Sequence, residues 1–164
     1  MNNKETVFSW LYRKVFKLPP PYYCYYSVGT ILSKPFRKWF SAVLIPAIPF
    51  SNLRVWCYRR CGYKIGKHVF IGMRCYLDDM CYDNIEIGDD VIISYGVYFA
   101  LHGRKQGHNR LVIRDGAYIG MHSSIIARHD MEIGENAVIG ACTLVNKSIP
   151  AGKTVVGIPC RIID

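Results

Sequence analysis

Apolar residues recur every six positions through most of this chain. They form four groups of three: Ile65, Ile71, Leu77; Ile87, Ile93, Phe99; Ile113, Ile119, Ile125; and Ile133, Ile139, Val145. A period of six fits neither the 3.6-residue turn of a helix nor the two-residue alternation of an isolated strand. It fits a solenoid in which every sixth side chain points at a common axis and three hexapeptides close one coil. The pattern therefore predicts an all-β parallel solenoid.

Two further positions of the repeat are restricted in size. The residue after the apolar position is often glycine, at positions 66, 72, 88, 120, 134 and 140. Four residues after the apolar position the side chain is usually small or β-branched, as in Val69, Cys75, Ala117 and Ser123. We expect glycine to supply the backbone angles of a sharp corner and the small side chain to fit beside the filled interior.

The coils are longer than the eighteen residues of three hexapeptides. Their first apolar residues are 22, 26 and 20 residues apart, and each insertion follows the third hexapeptide of its coil. We therefore expect the three inserted loops to lie at one corner of the solenoid, where loops on a rigid scaffold carry chemistry. The polar residues of these loops are Asp78, Asp79, Asp83, His102, Arg104, Lys105, His108, Arg110, Arg128, His129 and Asp130.

The segments IGKHVFIGMRCY, IGDDVIISYGVY and IGENAVIGACTL, with the ending VVGIPCRIID, resemble the hexapeptide-repeat acyltransferases. The resemblance covers residues 60–164 and is closest to the polysaccharide, maltose and xenobiotic O-acetyltransferases. It implies a left-handed parallel β-helix and a homotrimer with active sites between subunits. The left hand comes from the resemblance alone, because the general rule for parallel crossovers favours the right hand.

The resemblance also implies a catalytic residue. In similar acetyltransferases a histidine on a protruding loop deprotonates the acceptor, which then attacks the thioester of acetyl-CoA. His102 matches that position, and His108 in the same loop, residues 100–112, is the second candidate. A neutral imidazole can act as this base near physiological pH. His122 and His129 are assigned no role.

The implied activity is acetyl transfer from acetyl-CoA to a hydroxyl or amine of a sugar or glycan precursor, in surface polysaccharide biosynthesis and without a metal. Met121 and Ala141 match residues whose main chain contacts the pantetheine arm. Asn146 and Lys147 match a Thr-Lys pair, and Arg161 matches a basic residue near the nucleotide phosphates, where a cation has an electrostatic role.

Asp78 and Asp79 are the candidates for binding the acceptor, as acidic residues do in the galactoside and maltose type. The alternative is a solvated pair of turn residues. Serine acetyltransferases carry their catalytic histidine after a Leu-Asp pair, where this chain has Asp79, and this departure argues against serine. A zinc enzyme like the γ-carbonic anhydrases and a non-catalytic solenoid subunit are further alternatives; the histidine spacings do not match the zinc family.

Residues 1–60 lack the repeat and are basic and aromatic. Val7, Trp10, Leu11 and Val15 share one face of an expected helix. Such a segment suits an anionic membrane surface, which residues 1–50 would contact, or it caps the open end of the solenoid. Nucleic acid is not an expected partner, because no motif for it accompanies the charge.

The run SAVLIPAIPF is too short and too proline-rich to span a bilayer, and its position does not suit a signal peptide. The seven cysteines form no CxxC pair, so buried reduced thiols are expected. These features favour a cytoplasmic protein, or one peripheral to the inner face of the membrane. The chain is predicted to consist of the extension, 1–60, and the β-helix domain, 61–164.

Overall fold

The computed structural model describes residues 6–21, 24, 28–102 and 108–163. The chain divides into two compact units, Met1–Trp39 and Phe40–Asp164. The first contains α1 (Val7–Phe16) and α2 (Val28–Trp39). Thr6 precedes α1 in a capping box with Ser9, in which each side chain accepts from the other residue's backbone N–H.

The second unit begins with helical turns and continues as short strands. A π-helical turn (Phe40–Leu44) leads to α3 (Ile45–Ala47) and α4 (Ser51–Arg60). The strands are β1 (Lys64–Ile65), β2 (Phe70–Ile71), β3 (Ile85–Ile87), β4 (Ile92–Ile93), β5 (Tyr98–Ala100), β6 (Leu111–Ile113), β7 (Tyr118–Ile119), β8 (Ser124–Ile126), β9 (Met131–Ile133), β10 (Val138–Ile139), β11 (Leu144–Val145), β12 (Thr154–Val156) and β13 (Arg161–Ile162).

The strands form three sheets, one for each side of a triangular coil. The orders are β1-β3-β6-β9 (sheet A), β2-β4-β7-β10-β12-β13 (sheet B) and β5-β8-β11 (sheet C), and all pairs are parallel except β12 with β13. Equivalent residues of successive coils are in register, as in Ile71, Ile93 and Ile119. The predicted left-handed parallel β-helix is confirmed.

The six-residue period fills the interior as predicted. Eleven of the twelve apolar residues are buried, and Ile65, in the first coil, is half-buried. A partial fifth coil, with buried Ile149 and Val155, continues the stack. The sequence pattern missed it because Ile149 follows Val145 by four residues instead of six.

The prediction that these glycines supply the backbone angles of the corners is wrong. None of the six glycines that follow apolar positions has positive φ; the left-handed corner residues include His68, Arg74 and His122. Glycine is needed for close approach between coils instead. A Cβ on Gly120 would lie 2.6 Å from the backbone nitrogen of Ala141, far inside contact distance.

Helix α4 closes the N-terminal end of the coil stack. Its inner face joins the core through Val55 and Tyr58. The first coil has no preceding coil to pair with, and carbonyl groups on its open edge accept from side chains in and just after α4. The donors and acceptors are Arg54 with Ile71, Tyr58 with Cys75, Arg59 with Ile65, and Tyr63 with Leu77.

This arrangement makes α4 a cap, one of the two roles expected of the extension. The compact unit that holds the β-helix begins at Phe40, whereas the repeat itself begins after residue 60. In the part of the chain that the structure describes, no helix combines the length and hydrophobicity needed to cross a membrane.

Candidate active site at the loop corner

The three inserted loops meet at one corner, as their positions in the sequence predict. Each follows sheet C or the residues that extend it. The first loop bonds the second through Asp78, whose Oδ2 accepts from the backbone N of Leu101 at 2.7 Å. The second bonds the third through the backbone N of Arg110, which donates to Asp130 Oδ1 at 2.8 Å. The corner is therefore one connected group of loops.

His102 and Asp78 form a hydrogen-bonded pair at this corner. His102 Nδ1 lies 2.6 Å from Asp78 Oδ2; the Asp78 side chain is fully buried, and the His102 side chain is 30% exposed. The backbone N of His102 also donates to this oxygen, and that of Met80 donates to Oδ1. Because an ionised carboxylate only accepts hydrogen bonds, a neutral imidazole in this pair has its proton on Nδ1 and its lone pair on Nε2.

This geometry places the Asp78 carboxylate where it can orient His102, and its predicted contact with the acceptor stays a prediction. Both of its oxygens accept hydrogen bonds inside the corner. The sequence placed Asp78 and His102 in loops at the same corner, but the side-chain contact between them could not be read from the spacing. The pair has the arrangement of a base with the carboxylate that orients it.

His108 lies opposite His102 at the base of the longest loop. The two residues form an antiparallel backbone bridge, and the N of Asn109 donates to the carbonyl of Leu101 at 3.1 Å. His108 is exposed. Arg104 and Lys105 lie outside the described residues.

Asp79 is buried and bonded to a tyrosine that sequence reasoning missed. The hydroxyl of Tyr76 donates to Asp79 Oδ1 at 2.5 Å. Burial, followed by the hydrogen bond and charge of Asp79, raises the pKa of Tyr76 well above its ordinary value. The Tyr76 ring stacks on Tyr98 with centroids 4.8 Å apart. The two tyrosines occupy equivalent positions of successive coils. Their spacing in the repeat therefore indicates that they are neighbours.

Cys81 completes a group of possible metal ligands with Asp78 and His102. Their ligand atoms lie within 4.8 Å of one another. Burial, and then the charge of Asp78, raises the pKa of the Cys81 thiol to about 12, so the thiol is protonated at neutral pH. In a metal site this thiol would bind as the thiolate, which requires the metal to displace its proton.

The residues matched to a coenzyme A site lie on two corners. Met121 and Ala141 occupy equivalent turns between sheets B and C, where the N of Cys142 donates to the carbonyl of Met121 at 2.8 Å. Asn146 and Lys147 follow β11, at the corner that also holds His102. Sheet C lies between these two corners. Arg161 is in β13, paired with Val156 beyond the last full coil.

The seven cysteines are all free. Five are buried, as expected, Cys61 is half-buried, and Cys142 is exposed at a corner with φ of 55°. No disulfide framework therefore contributes to the site.

The coils and their loop corner define a β-helix of hexapeptide repeats. A family model, hexapeptide repeat of succinyl-transferase, matches residues 63–99. "Putative acetyltransferase YvoF" of Bacillus subtilis (strain 168) is 32% identical over 119 residues, which cover 70% of this chain and 68% of that protein. The chain belongs to the hexapeptide-repeat acyltransferase family.

Other curated relatives are longer than this chain. The bifunctional protein GlmU of Rubrobacter xylanophilus is 37% identical over 62% of the chain and 22% of GlmU. A serine acetyltransferase of Staphylococcus epidermidis is 38% identical over 62% of the chain and 46% of that enzyme. The chain thus spans about a fifth of the first and less than half of the second.

Solved structures share the fold at lower identity. A hexapeptide-repeat acetyltransferase of Vibrio cholerae, VCA0836, aligns with a TM-score of 0.66 at 23% identity, covering 84% of this chain and 93% of that chain. VCA0836 has also been solved in complex with acetyl-CoA. A maltose O-acetyltransferase of Clostridium difficile 630 aligns with a TM-score of 0.56 at 22% identity, covering 84% and 88%.

Proposed function

We propose that this protein is an acetyltransferase that moves the acetyl group of acetyl-CoA to a hydroxyl or amine of a sugar or glycan precursor. The observation that carries the proposal is the His102–Asp78 pair at the loop corner, with a buried carboxylate 2.6 Å from a partly exposed imidazole. Family membership and the acetyl-CoA complex of VCA0836 support acetyl-CoA as the donor.

In the proposed mechanism His102 acts as the general base. Its Nε2 takes the proton of the acceptor as the acceptor heteroatom attacks the thioester carbonyl. Collapse of the tetrahedral intermediate breaks the carbon–sulfur bond, and the imidazolium returns the proton to the departing thiolate. Asp78 holds Nδ1–H and stabilises the imidazolium between these steps. A well-placed base contributes on the order of a hundred- to ten-thousandfold in rate.

Acetyl-CoA is proposed to lie along sheet C, between the two corners that hold the matched residues. Met121 and Ala141 would contact the pantetheine arm through their main chains at one corner. Asn146 and Lys147 would contact the cosubstrate at the other corner, and Arg161 would face the phosphates. The proposal includes a homotrimer with active sites between subunits. An exposed apolar row along sheet B supports a subunit contact: Phe70, Ile92, Tyr118 and Val138.

A sugar is the proposed acceptor, and surface polysaccharide assembly is the proposed setting. The likeness to maltose O-acetyltransferase supports a hydroxyl-rich acceptor. Asp79 follows Asp78 in the sequence, and the Tyr76 hydroxyl donates a hydrogen bond to Asp79. These two residues are the candidates for acceptor recognition. Tyr98 presents an exposed ring next to them, a surface of the kind on which pyranose rings pack.

Serine O-acetylation is the second candidate function. Similarity to serine acetyltransferase over 104 residues favours it. Asp79 stands at the position of the histidine that serine acetyltransferases use, and the Tyr76 hydroxyl occupies its Oδ1. We therefore rank serine below a sugar.

An acceptor panel tests the proposal. Purified protein with acetyl-CoA is given maltose, galactosides, amino sugars, oligosaccharides and serine; free thiol is measured, and products are identified by mass spectrometry. We expect acetylated sugar, unchanged after a metal chelator. Acetylserine as the sole product would assign the second function, stoichiometric zinc with activity lost to the chelator would assign a metal enzyme, and no acetyl-CoA binding by calorimetry would leave a non-catalytic solenoid.

A further inference from the structure

Positive charge is separated from negative charge along this chain. From Thr6 to Leu77 there are twelve lysine and arginine residues and no aspartate or glutamate. Eleven of the twelve acidic residues follow, beginning at Asp78. A segment with this charge attracts an anionic partner.

The three tryptophans of the chain all lie in this cationic segment and are all exposed. Trp10 is 51%, Trp39 49% and Trp56 54% exposed. Tryptophan is usually highly buried in a soluble domain. Exposed tryptophans beside lysine and arginine are typical of the headgroup region of a membrane.

Helix α4 carries one of these tryptophans on the face that does not pack against the first coil. Its inner face packs on the first coil, but Leu53, Trp56 and Arg60 recur every three or four residues on the outer face and are exposed. Phe50, which precedes the helix, is 71% exposed. The Arg60 guanidinium lies 5.6 Å from the Trp56 ring centroid, so a cation accompanies the apolar row.

Helix α1, in the first unit, has the same composition. Val7, Trp10, Leu11 and Val15 are exposed. Lys14 Nζ lies 4.6 Å from the centroid of the Trp10 ring. Basic amphipathic helices of this kind lie in the interfacial plane of a bilayer, with apolar side chains inserted and cations at the phosphates.

We propose that the outer face of α4 and the apolar face of α1 each bind the surface of an anionic lipid bilayer. The apolar and aromatic side chains enter the headgroup region, and the cations contact lipid phosphates. A nucleic acid would use the cations but leave the apolar rows exposed. A second protein copy is the poorer fit, because a two-fold contact would place like charges of this acid-free segment opposite one another.

Vesicle binding by the full chain tests this proposal independently of acetyl transfer. We expect cosedimentation with phosphatidylcholine vesicles that contain phosphatidylglycerol, weak binding to phosphatidylcholine alone, and release by salt. Tryptophan emission of the unmodified protein should shift to shorter wavelength with the anionic vesicles. Equal binding to both vesicle types, or to neither, would overturn the proposal.

Matched variants assign the binding to the two faces. Leu53→Ser with Trp56→Ser, and separately Arg13→Gln with Lys14→Gln, should each weaken vesicle binding by roughly tenfold or more. Ile162→Ser, at an exposed apolar residue of β13, should bind like the parent; thermal unfolding checks that every variant is folded. Variants that bind vesicles like the parent but change the sedimentation of the free protein would assign the α4 face to a contact between copies instead.

Discussion

Asp78 shows at the scale of a single residue what spacing can and cannot reveal. The position of the first insertion puts this carboxylate in the loop cluster, and the resemblance makes His102 the candidate base. The contact between them depends on how two loops, 24 residues apart in the sequence, fold onto one another. The sequence therefore indicates both residues as site candidates, but the contact that supports the proposed positioning role of the acid could not be predicted from it.

Replacing the carboxylate should impair the chemical step and leave donor binding intact. In Asp78→Asn the amide NH₂ can donate to Nδ1, which moves the imidazole proton to Nε2 and removes the lone pair needed by the base. We expect kcat to fall about 10²–10⁴-fold with the KM for acetyl-CoA nearly unchanged. Steady-state kinetics measures both values.

The control for this variant is Asp83→Asn, at an exposed acid of the same loop. It should retain parental kcat, and thermal unfolding should show that both variants are folded. A parental kcat in Asp78→Asn, or equal losses in the two variants, would show that Asp78 does not position the base.

At the scale of an element, α4 could not be described from its sequence. SNLRVWCYRR has no clean apolar stripe, because arginine and tyrosine lie on the buried face. These side chains are buried because the open edge of the first coil presents carbonyl groups, which accept from Arg54 and Tyr58. The strands, in contrast, follow directly from the six-residue period.

Arg54 is the residue of this cap whose loss should cost most stability. Its guanidinium is buried and donates to the carbonyls of Ile71 and Ile48. Arg54→Met leaves these acceptors without a charged donor, and we expect the free energy of unfolding to fall by about 2–3 kcal/mol. Denaturant unfolding measures the change.

Arg60→Met is the matched control, because Arg60 is in the same helix but exposed. Its effect should be within about 0.5 kcal/mol of zero. Similar stability for Arg54→Met and the parent would contradict the capping role.

At the scale of the whole molecule, the period predicted the coils and its interruptions predicted the loop corner. Both predictions hold because a parallel coil fixes which residues share an edge. The partial fifth coil was not predicted because Ile149 follows Val145 by only four residues, and the two faces of α4 were not predicted because they depend on packing. The charge separation is visible in the sequence, but only exposure shows which apolar residues accompany it.

We propose that the corner formed by the insertions is an acetyl-transfer site with His102 as its base. The most direct test compares His102→Ala and His108→Ala in acceptor-dependent release of CoA, with acetyl-CoA affinity measured by calorimetry. We predict that His102→Ala lowers kcat by at least about 10²-fold with unchanged affinity, whereas His108→Ala keeps most activity. Full activity in His102→Ala toward every acceptor that the parent uses would contradict the claim.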